Sequence, residues 1–471
     1  MRVFPKRVYF IAISGTGMSA LAGLFKERGC EVAGSDLACY PPVSDLLARL
    51  NIEVNIGYNI EHLKAFNPDY VVIGNFVRKD NGQAQYVKEA KLEFGSMPST
   101  LEDLFLKETR NFVVVGTHGK STTTTCLAYL LESAGRDPSF FVGAVALDFG
   151  QSFKIGDGQD FVLEGDEYDT AFFDKESKFL HYRPRIGVWT SFEFDHADIF
   201  EKLEDIEVMF QKFIKLLPDD GALIYCQDWD AVHRVVESAR GSLGCHKIIS
   251  YGFHPEADRR IENFEEGEFG LRFRLDGLVF ESCLSGQFNA QNLVGATLAA
   301  KEAGLSDVEV VAGVRSFRGL KRRQEVRARI GRHLVIDDFA HHPTAIREVT
   351  RSLKQRYPDK TLVVLFEARS NTTRRKIFQK EFESAFAGAD VVLLPQIFKP
   401  EALPENDRLD ISRLIKSLQM NSIEARGPLS TDQLVESCVD LSHKFPCAFL
   451  LLSNGSFDGL HEKLISTLKS Q

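Results

Sequence analysis

The chain of 471 residues carries a formal net charge of −9, contains 44% apolar residues and has 8 cysteines. Such a length predicts about three domains, and the acidic balance excludes a general nucleic-acid-binding protein. The scattered cysteines, none in a CxxC pair, indicate reduced thiols in a cytoplasmic protein. We expect neither a signal peptide nor a membrane-spanning segment. We also expect the protein to be a monomer or a weak homodimer.

Apolar, β-rich runs alternate with helical patterns along the whole chain. The alternation predicts an α/β fold of mostly parallel sheets covered by helices. Polar stretches near 108–111 and 316–321 predict an N-terminal domain (1–108), a central domain (109–318) and a C-terminal domain (319–471). The predicted strands are 8–13, 71–73, 112–115, 161–163, 186–189, 334–336, 362–366, 391–394 and 448–452.

The first predicted strand runs into the turn "SGTGMSA", where Gly15 and Gly17 precede a helix. Asp36 ends the next predicted strand, about twenty residues further on, which comes close to a dinucleotide-binding fingerprint. An NAD-dependent dehydrogenase is therefore one interpretation of this stretch. The same geometry also suits other diphosphates, including that of a UDP-sugar.

A second nucleotide site is predicted where the strand 112–115 meets "GTHGKS". Gly116 and Gly119 allow a sharp turn whose N–H groups face inward, and the helix that follows adds positive potential. We expect Lys120 to reach the β/γ-phosphates of ATP and the Ser121 hydroxyl to bind Mg²⁺, with Mn²⁺ as an alternative ion. The glycines stand closer together than in a standard Walker A motif, so an ordinary strand–helix turn remains an alternative.

Acidic side chains follow the next two predicted strands in "FVLEGDEYDTAFF" and "VWTSFEFDHADIF". Strand ends of parallel sheets open into the ligand crevice. We therefore expect Glu164 and His196 to hold Mg²⁺ around a transferring phosphoryl group. For Asp166, Asp169 and Asp198 a solvated loop position is an equal alternative.

The segments "GTHGKSTTT", "EGDEYDTAFF", "FEFDHADIF", "GQFNAQN", "FRGLKRRQE" and "DDFAHHPTAI" occur in the order found in Mur ligases. The chain resembles this family, which forms amide bonds in bacterial cell-wall precursors at the expense of ATP, over essentially its whole length. "EFDHADIF", "EARSNTTRR" and "SNGSFDGLH" favour the murein peptide ligase branch, which serves peptidoglycan recycling. The UDP-N-acetylmuramate–L-alanine ligase branch comes next.

The resemblance implies a Rossmann-like N-terminal domain for UDP, a central P-loop-type ATPase domain and a Rossmann-like C-terminal domain for the amine. It implies catalytic roles for Lys120, Glu164, His196 and Arg323, and metal binding by Ser121, Glu164 and His196. The residues expected at ATP are Gly116, Thr117, His118, Gly119, Lys120, Ser121, Thr122, Asn289, Asn292, Arg323, Asp338 and His342. Those expected at UDP-muramate and the amine are Gly15, Thr16, Gly17, Met18, Ser35, Asp36, Asn75, Arg369, Ser370 and Asn371.

The expected reaction makes an acyl phosphate from the muramoyl carboxylate and ATP, and an amine then attacks the carbonyl. We expect the amine donor to be the tripeptide L-Ala-γ-D-Glu-meso-diaminopimelate, with L-alanine as the alternative. Arg369 follows the strand 362–366 and could grip a peptide carboxylate bidentately. From outside the ligase class, a regulatory protein that binds ATP as a switch is the alternative.

Overall fold

The computed structural model describes residues 4–168, 170–194 and 203–471. These residues form two compact units. The first holds the described residues of 1–194 and 202–260 together with 291–314, and the second holds 261–290 and 315–471. The α/β class with mostly parallel sheets is confirmed. No helix among the described residues is both long and apolar enough to cross a membrane.

The N-terminal sheet of the first unit is parallel, with strand order β3-β2-β1-β4-β5. Its middle strands are buried on both faces, as expected when helices cover a parallel sheet. The strands are β1 (Arg7–Ile11), β2 (Glu31–Asp36), β3 (Glu53–Ile56), β4 (Tyr70–Ile73) and β5 (Phe94–Gly95). The helices are α1 (Thr16–Glu27), α2 (Val43–Arg49), α3 (Ile60–Phe66), α4 (Gly82–Glu89) and α5 (Met97–Leu104).

The central sheet has the order β13-β12-β11-β10-β6-β9-β7-β8 and is parallel except at the β7–β8 pair. Its strands are β6 (Arg110–Val115), β7 (Ser139–Phe141), β8 (Phe153–Lys154), β9 (Asp160–Gly165), β10 (Ile186–Trp189), β11 (Ala222–Cys226), β12 (Lys247–Gly252) and β13 (Arg259–Arg260). The helices along this part of the chain are α6 (Lys120–Ser133), α7 (Leu203–Lys215) and α8 (Asp230–Ala239). A short 3₁₀ helix covers Lys178–His181.

The second unit contains a small antiparallel sheet, β14-β15-β16, and a larger sheet of order β17-β18-β22-β19-β20-β21. In the larger sheet only the β17–β18 pair is antiparallel. The strands are β14 (Glu262–Gly267), β15 (Gly270–Leu275), β16 (Leu278–Ser282), β17 (Glu325–Ile330), β18 (His333–Asp338), β19 (Thr361–Phe366), β20 (Val391–Pro395), β21 (Glu424–Leu429) and β22 (Cys447–Leu452). The remaining helices of the chain are α9 (Gln287–Glu302), α10 (Asp307–Ser316), α11 (Pro343–Arg356), α12 (Gln379–Ala385), α13 (Ile411–Met420), α14 (Thr431–Lys444) and α15 (Leu460–Lys469).

The first strand is shorter than predicted, because β1 ends at Ile11 rather than at residue 13. The backbone leaves the strand at Ala12, whose φ of +67° lies in the left-handed region. The N–H groups of Ala12 and Ile13 then both donate to the carbonyl of Ser35 on β2 (2.8 and 3.2 Å). The turn before α1 therefore begins two residues earlier than the apolar pattern suggests.

Candidate active site

The phosphate turn joins β6 to α6 and holds two glycines in the left-handed region, Gly116 at φ +133° and Gly119 at φ +82°. A Cβ on Gly116 would overlap the side chain of Thr190, and one on Gly119 would overlap that of Asn292. Another residue at either position would therefore meet backbone strain and a close neighbour. Helix α6 begins directly at Lys120. Its free N–H groups lie at the turn, which is the arrangement that favours an anion.

The residues that follow β10 hold the turn in place through hydrogen bonds. Thr190 Oγ1 donates to the carbonyl of His118 (2.5 Å), and the N–H of His118 donates to Ser191 Oγ (2.6 Å). Thr117 Oγ1 donates to the carbonyl of Glu193 (3.1 Å), and His118 Nε2 lies 2.7 Å from Glu193 Oε2. The turn is therefore preorganised by its neighbour strand. The side chains of Thr117 and His118 take part in that support.

Lys120 sits between the turn and the acidic segment after β9. Its Nζ donates to the Gly116 carbonyl (2.6 Å) and to Glu167 Oε2 (3.0 Å). Burial alone would lower the pKa of Lys120, but the carboxylates of Glu167, Asp166 and Glu164 raise it above its usual value. Lys120 is therefore a fixed cation, and the carboxylates around it outnumber it. Such a site attracts a further cation.

The predicted metal ligands Ser121 and Glu164 lie in contact. Ser121 Oγ donates to Glu164 Oε1 (2.8 Å), and the N–H of Gly143 donates to Glu164 Oε2 (2.7 Å). Burial raises the pKa of Glu164, and the charge of Asp166 adds to the effect. A hydroxyl and a carboxylate are the hard oxygen donors that Mg²⁺ prefers, so these residues fit a magnesium ion.

Part of the predicted acid and histidine cluster lies outside the described residues, namely Asp169, His196 and Asp198. The metal-binding role of His196 stays a prediction. Asp166 is described, and its carboxylate pairs with Lys178 Nζ (2.9 Å). Although burial opposes the shift, Lys178 and Lys120 hold the pKa of Asp166 below its usual value. Lys178 could not be connected with this cluster from the sequence, because it lies on the 3₁₀ helix that follows.

Asn292 is the residue from α9 that the structure brings to the turn. Thr123 Oγ1 lies 3.4 Å from Asn292 Oδ1, beside Gly119. Thr122, in the first turn of α6, is buried. Asn289 belongs to the second unit, where its Nδ2 donates to the carbonyl of Ser285 (2.7 Å).

Three residues predicted to serve ATP gather at the end of β18 in the second unit. Asp338 is buried and accepts hydrogen bonds from the N–H groups of Gln324 and Ala340 (both 2.7 Å). Burial raises the pKa of Asp338, and the nearby Arg323 opposes that rise. His342 caps the N-terminus of α11, with Nδ1 accepting a hydrogen bond from the N–H of Thr344 (3.4 Å).

Arg323 lies against the aromatic residue that follows Asp338. Its guanidinium lies over the ring of Phe339, 5.2 Å from the centroid. This contact and the charge of Asp338 both orient the Arg323 side chain.

The predicted amine site lies where β19 and β22 end side by side. Arg369 NH1 is 3.3 Å from Glu367 Oε1, and Ser453 Oγ donates to Glu367 Oε2 (2.5 Å). The Arg369 guanidinium also stacks over Phe398, 3.9 Å from the ring centroid. A Cβ on Gly455 would overlap the Arg369 side chain. The segments "EARSNTTRR" and "SNGSFDGLH" therefore lie in contact at the carboxyl ends of β19 and β22, and their role in binding the amine stays a prediction.

Ser370 and Asn371 shape the backbone after Arg369. Ser370 Oγ accepts a hydrogen bond from the N–H of Thr373 (3.1 Å), and Asn371 Oδ1 accepts one from Arg374 NH2 (2.9 Å). Glu367, which is 4% exposed, was not among the residues predicted from the sequence. A buried carboxylate at the end of a strand, two residues before an arginine, could have revealed it.

The turn that is predicted to bind a nucleotide in the N-terminal domain is tight and is held by several contacts. Gly15 caps α1 at Thr16, and a Cβ on Gly17 would come within 2.8 Å of Met97 Sδ. Asp36 accepts hydrogen bonds from the N–H groups of Ser14 (2.8 Å) and Leu37 (2.7 Å). These contacts hold the Asp36 carboxylate at the carboxyl end of β2.

Two other residues predicted for this site are buried inside the N-terminal domain. Ser35 is buried, with Oγ donating to Gln83 Oε1 (2.5 Å), and Met18 is also buried. Asn75 lies in the turn that follows β4. The hydroxyl of Ser35 is thus already used for packing the domain.

Comparisons with known proteins cover nearly the whole chain. Residues 7–109 match the family described as "Mur ligase family, catalytic domain", residues 114–300 match "Mur ligase middle domain", and residues 322–436 match "Mur ligase, glutamate ligase domain". The UDP-N-acetylmuramate–L-alanyl-γ-D-glutamyl-meso-2,6-diaminoheptandioate ligase of Haemophilus influenzae is 33% identical over 98% of this chain and 99% of that protein.

The chain belongs to the Mur ligase family. Among solved structures, a murein peptide ligase from Psychrobacter arcticus is 29% identical, with a TM-score of 0.71 and 99% of both chains covered. The UDP-N-acetylmuramate–L-alanine ligase of Paenarthrobacter aurescens is 35% identical, but over 83% of each chain. As a Mur ligase, the chain is an ATP-dependent enzyme that forms amide bonds. The predicted resemblance and three-domain α/β fold are confirmed.

Proposed function

We propose that this Mur ligase joins the carboxylate of UDP-N-acetylmuramate to the amine of L-Ala-γ-D-Glu-meso-diaminopimelate, with ATP converted to ADP and phosphate. The main support for this proposal is the similarity to the Haemophilus influenzae ligase for this peptide, which extends over 98% of the chain. The NAD-dependent and regulatory interpretations receive no support from that relationship. Because both nucleotides are cytoplasmic metabolites, we also place the reaction in the cytoplasm.

The phosphate turn would bind the triphosphate. In this proposal the N–H groups of the turn and of the start of α6 donate hydrogen bonds to the phosphate oxygens, while Lys120 places its charge at the γ-phosphate. A carboxylate is a poor electrophile, so one muramoyl oxygen first attacks the γ-phosphorus and ADP leaves. The resulting acyl phosphate has a good leaving group, and the amine expels phosphate from its carbonyl. Positioning and charge stabilisation supply most of such a rate enhancement.

Ser121 and Glu164 would hold Mg²⁺, or Mn²⁺ in its place. The ion would neutralise part of the phosphate charge when bound. The part played by the chain is to keep both oxygen ligands at one edge of the sheet. Ser121 is fixed there by α6, and the Gly143 N–H fixes Glu164.

The N-terminal turn and the C-terminal strand ends would take the other two substrates. The diphosphate of UDP-muramate would lie at Gly15 and Gly17, with Asp36 at the end of the neighbouring strand. Arg369 is suited to a peptide carboxylate, because its pairing with Glu367 is a 3.3 Å contact that a bidentate carboxylate could replace. The residue-level assignments and the limits 1–108, 109–318 and 319–471 remain proposals.

The choice of amine can be tested by competition. We offer the purified protein equal concentrations of the tripeptide and L-alanine, with UDP-N-acetylmuramate, ATP and Mg²⁺, and read the products by mass. The account expects the UDP-muramoyl tripeptide to dominate. Efficient ligation of L-alanine without any tripeptide product would instead assign the chain to the alanine-adding step, the alternative that the Paenarthrobacter aurescens relative supports.

A further inference from the structure

A two-residue turn of the central part of the chain packs against the N-terminal sheet. Ala171 and Asp174 pair through two backbone hydrogen bonds (both 3.1 Å), which places Phe172 and Phe173 at the tip. Phe172 packs against the core cluster of the N-terminal sheet. Phe173 meets the ring of Phe94 on β5 edge to face, with the centroids 5.4 Å apart.

A charge network lies beside this aromatic contact. His181 Nδ1 is 3.1 Å from Glu102 Oε2 on α5, and His181 Nε2 is 3.2 Å from Asp174 Oδ2. Ser96 Oγ, at the N-cap of α5, donates to Asp174 Oδ2 (2.8 Å). His181 and Asp174 thus come from the central part of the chain, whereas Glu102 and Ser96 come from the N-terminal part. The network therefore joins the N-terminal and central parts of the first unit.

The same segment is bonded to the residues that surround Lys120. Ser177 Oγ donates to the carbonyl of Glu167 (2.5 Å), and the N–H of Lys178 donates to the carbonyl of Tyr168 (3.3 Å). The Lys178 side chain pairs with Asp166, and Glu167 pairs with Lys120. Residues 170–181, which we name the anchor segment, therefore contact the N-terminal part of the chain at both ends and the acidic cluster through the residues in between.

We infer that the anchor segment fixes the N-terminal sheet relative to the phosphate turn, with His181 as a positioning residue for ligation. The inference rests on the proposed function, because the muramoyl carboxylate must meet the γ-phosphate across this junction. A misplacement of about 1 Å can cost on the order of 10²-fold in rate. The junction is therefore a place where a residue far from the reacting atoms controls turnover.

The protonation of His181 supports this role. Burial alone would lower its pKa, but hydrogen bonds and charge from Asp174 and Glu102 raise it to about 9. Other charges near this segment include Lys178, which is bonded to Asp166, and Lys212 on α7, which faces Glu176. Lys88 on α4 lies over the ring of Phe172, 4.6 Å from its centroid. The charged His181 therefore gives its full stabilisation of the junction below about pH 6.5, the pKa of an ordinary histidine. This stabilisation is lost as the pH rises through about 9.

The test compares His181→Ala with the wild type. Loss of the cation leaves Glu102 and Asp174 facing each other, so we expect kcat for ligation to fall about 10-fold, with the KM for ATP unchanged. The difference from the wild type should narrow as the pH rises through about 9, where His181 loses its proton. His233→Ala is the matched control, because that half-buried histidine bonds Tyr225 (3.0 Å) away from the junction.

Two further variants keep the proposal falsifiable. Glu102→Gln alone retains the shape of α5 and should lower kcat less than His181→Ala does. In the double variant, Glu102→Gln should restore part of the activity by removing one of the facing charges. An unchanged kcat for both His181→Ala and Glu102→Gln would overturn the positioning role.

Hydrogen exchange separates this proposal from the proposed function. In His181→Ala, the amides of 97–104 and 170–181 should exchange faster, whereas His233→Ala should leave them as in the wild type. If the wild type forms no amide bond, the proposed function is wrong. Hydrogen exchange alone then tests whether the anchor segment holds the N-terminal sheet in place. Unchanged exchange in His181→Ala would overturn the anchor, and faster exchange with unchanged kcat would overturn its role in turnover.

Discussion

Lys120→Ala should lower ATP-dependent ligation by ~10²–10³-fold, the loss typical of one preorganised charge donor. Its ammonium group is held at the phosphate turn by the Gly116 carbonyl and Glu167. Without it, the turn loses its fixed cation, and the carboxylates around it would repel a triphosphate. The measurement is the steady-state rate of amide formation under saturating ATP.

A control is needed because Lys120 also neutralises buried carboxylates. Lys154→Ala is suitable, since Lys154 lies on β8 of the same sheet and pairs with Glu132 and Asp137 (both 2.6 Å), away from the turn. We expect its ligation rate to stay near that of the wild type. Thermal unfolding should establish that both variants fold. Near-wild-type turnover in folded Lys120→Ala protein would contradict the assignment of the turn.

Glu164→Gln should raise the Mg²⁺ concentration needed for half-maximal activity by ~10-fold and lower kcat by ~10²-fold, because an amide oxygen is a weaker ligand for a hard cation than a carboxylate. The substitution preserves the shape of the side chain and an acceptor for Ser121 or Gly143. The KM for ATP should change less than the Mg²⁺ requirement. A Mg²⁺ titration at fixed ATP makes the comparison.

Asp160→Asn provides the matched variant. Asp160 is a buried carboxylate at the opposite end of the same strand, paired with Arg110 (2.6 Å). Its removal should affect stability while the Mg²⁺ titration stays superimposed on that of the wild type. If Glu164→Gln also superimposes, Glu164 supports the turn through Ser121 and does not bind the metal ion.

The sequence was informative wherever chemistry depends on neighbours along the chain. The phosphate turn needs two glycines, a lysine and a helix start within a few residues, and all of these could be recognised from "GTHGKS". The same holds for the parallel strands, since β6, β9 and β10 are short apolar runs whose burial follows from their composition.

Contacts between distant segments could not be predicted in this way. The pairing of Glu367 with Ser453 joins residues that only the neighbouring positions of β19 and β22 bring together. The contact of His181 with Glu102 likewise depends on how α5 packs against the 3₁₀ helix. The local sequence around these residues does not specify their partners, because each of them is an ordinary polar residue near the end of a helix or strand.

The most direct test follows the oxygen atoms of the muramoyl carboxylate. The protein is incubated with ATP, Mg²⁺, the tripeptide and UDP-N-acetylmuramate whose carboxylate carries heavy oxygen, and both the amide and the released phosphate are analysed by mass. The account predicts the UDP-muramoyl tripeptide together with phosphate that contains one labelled oxygen per amide formed. Hydrolysis of ATP to unlabelled phosphate without a new amide would contradict it.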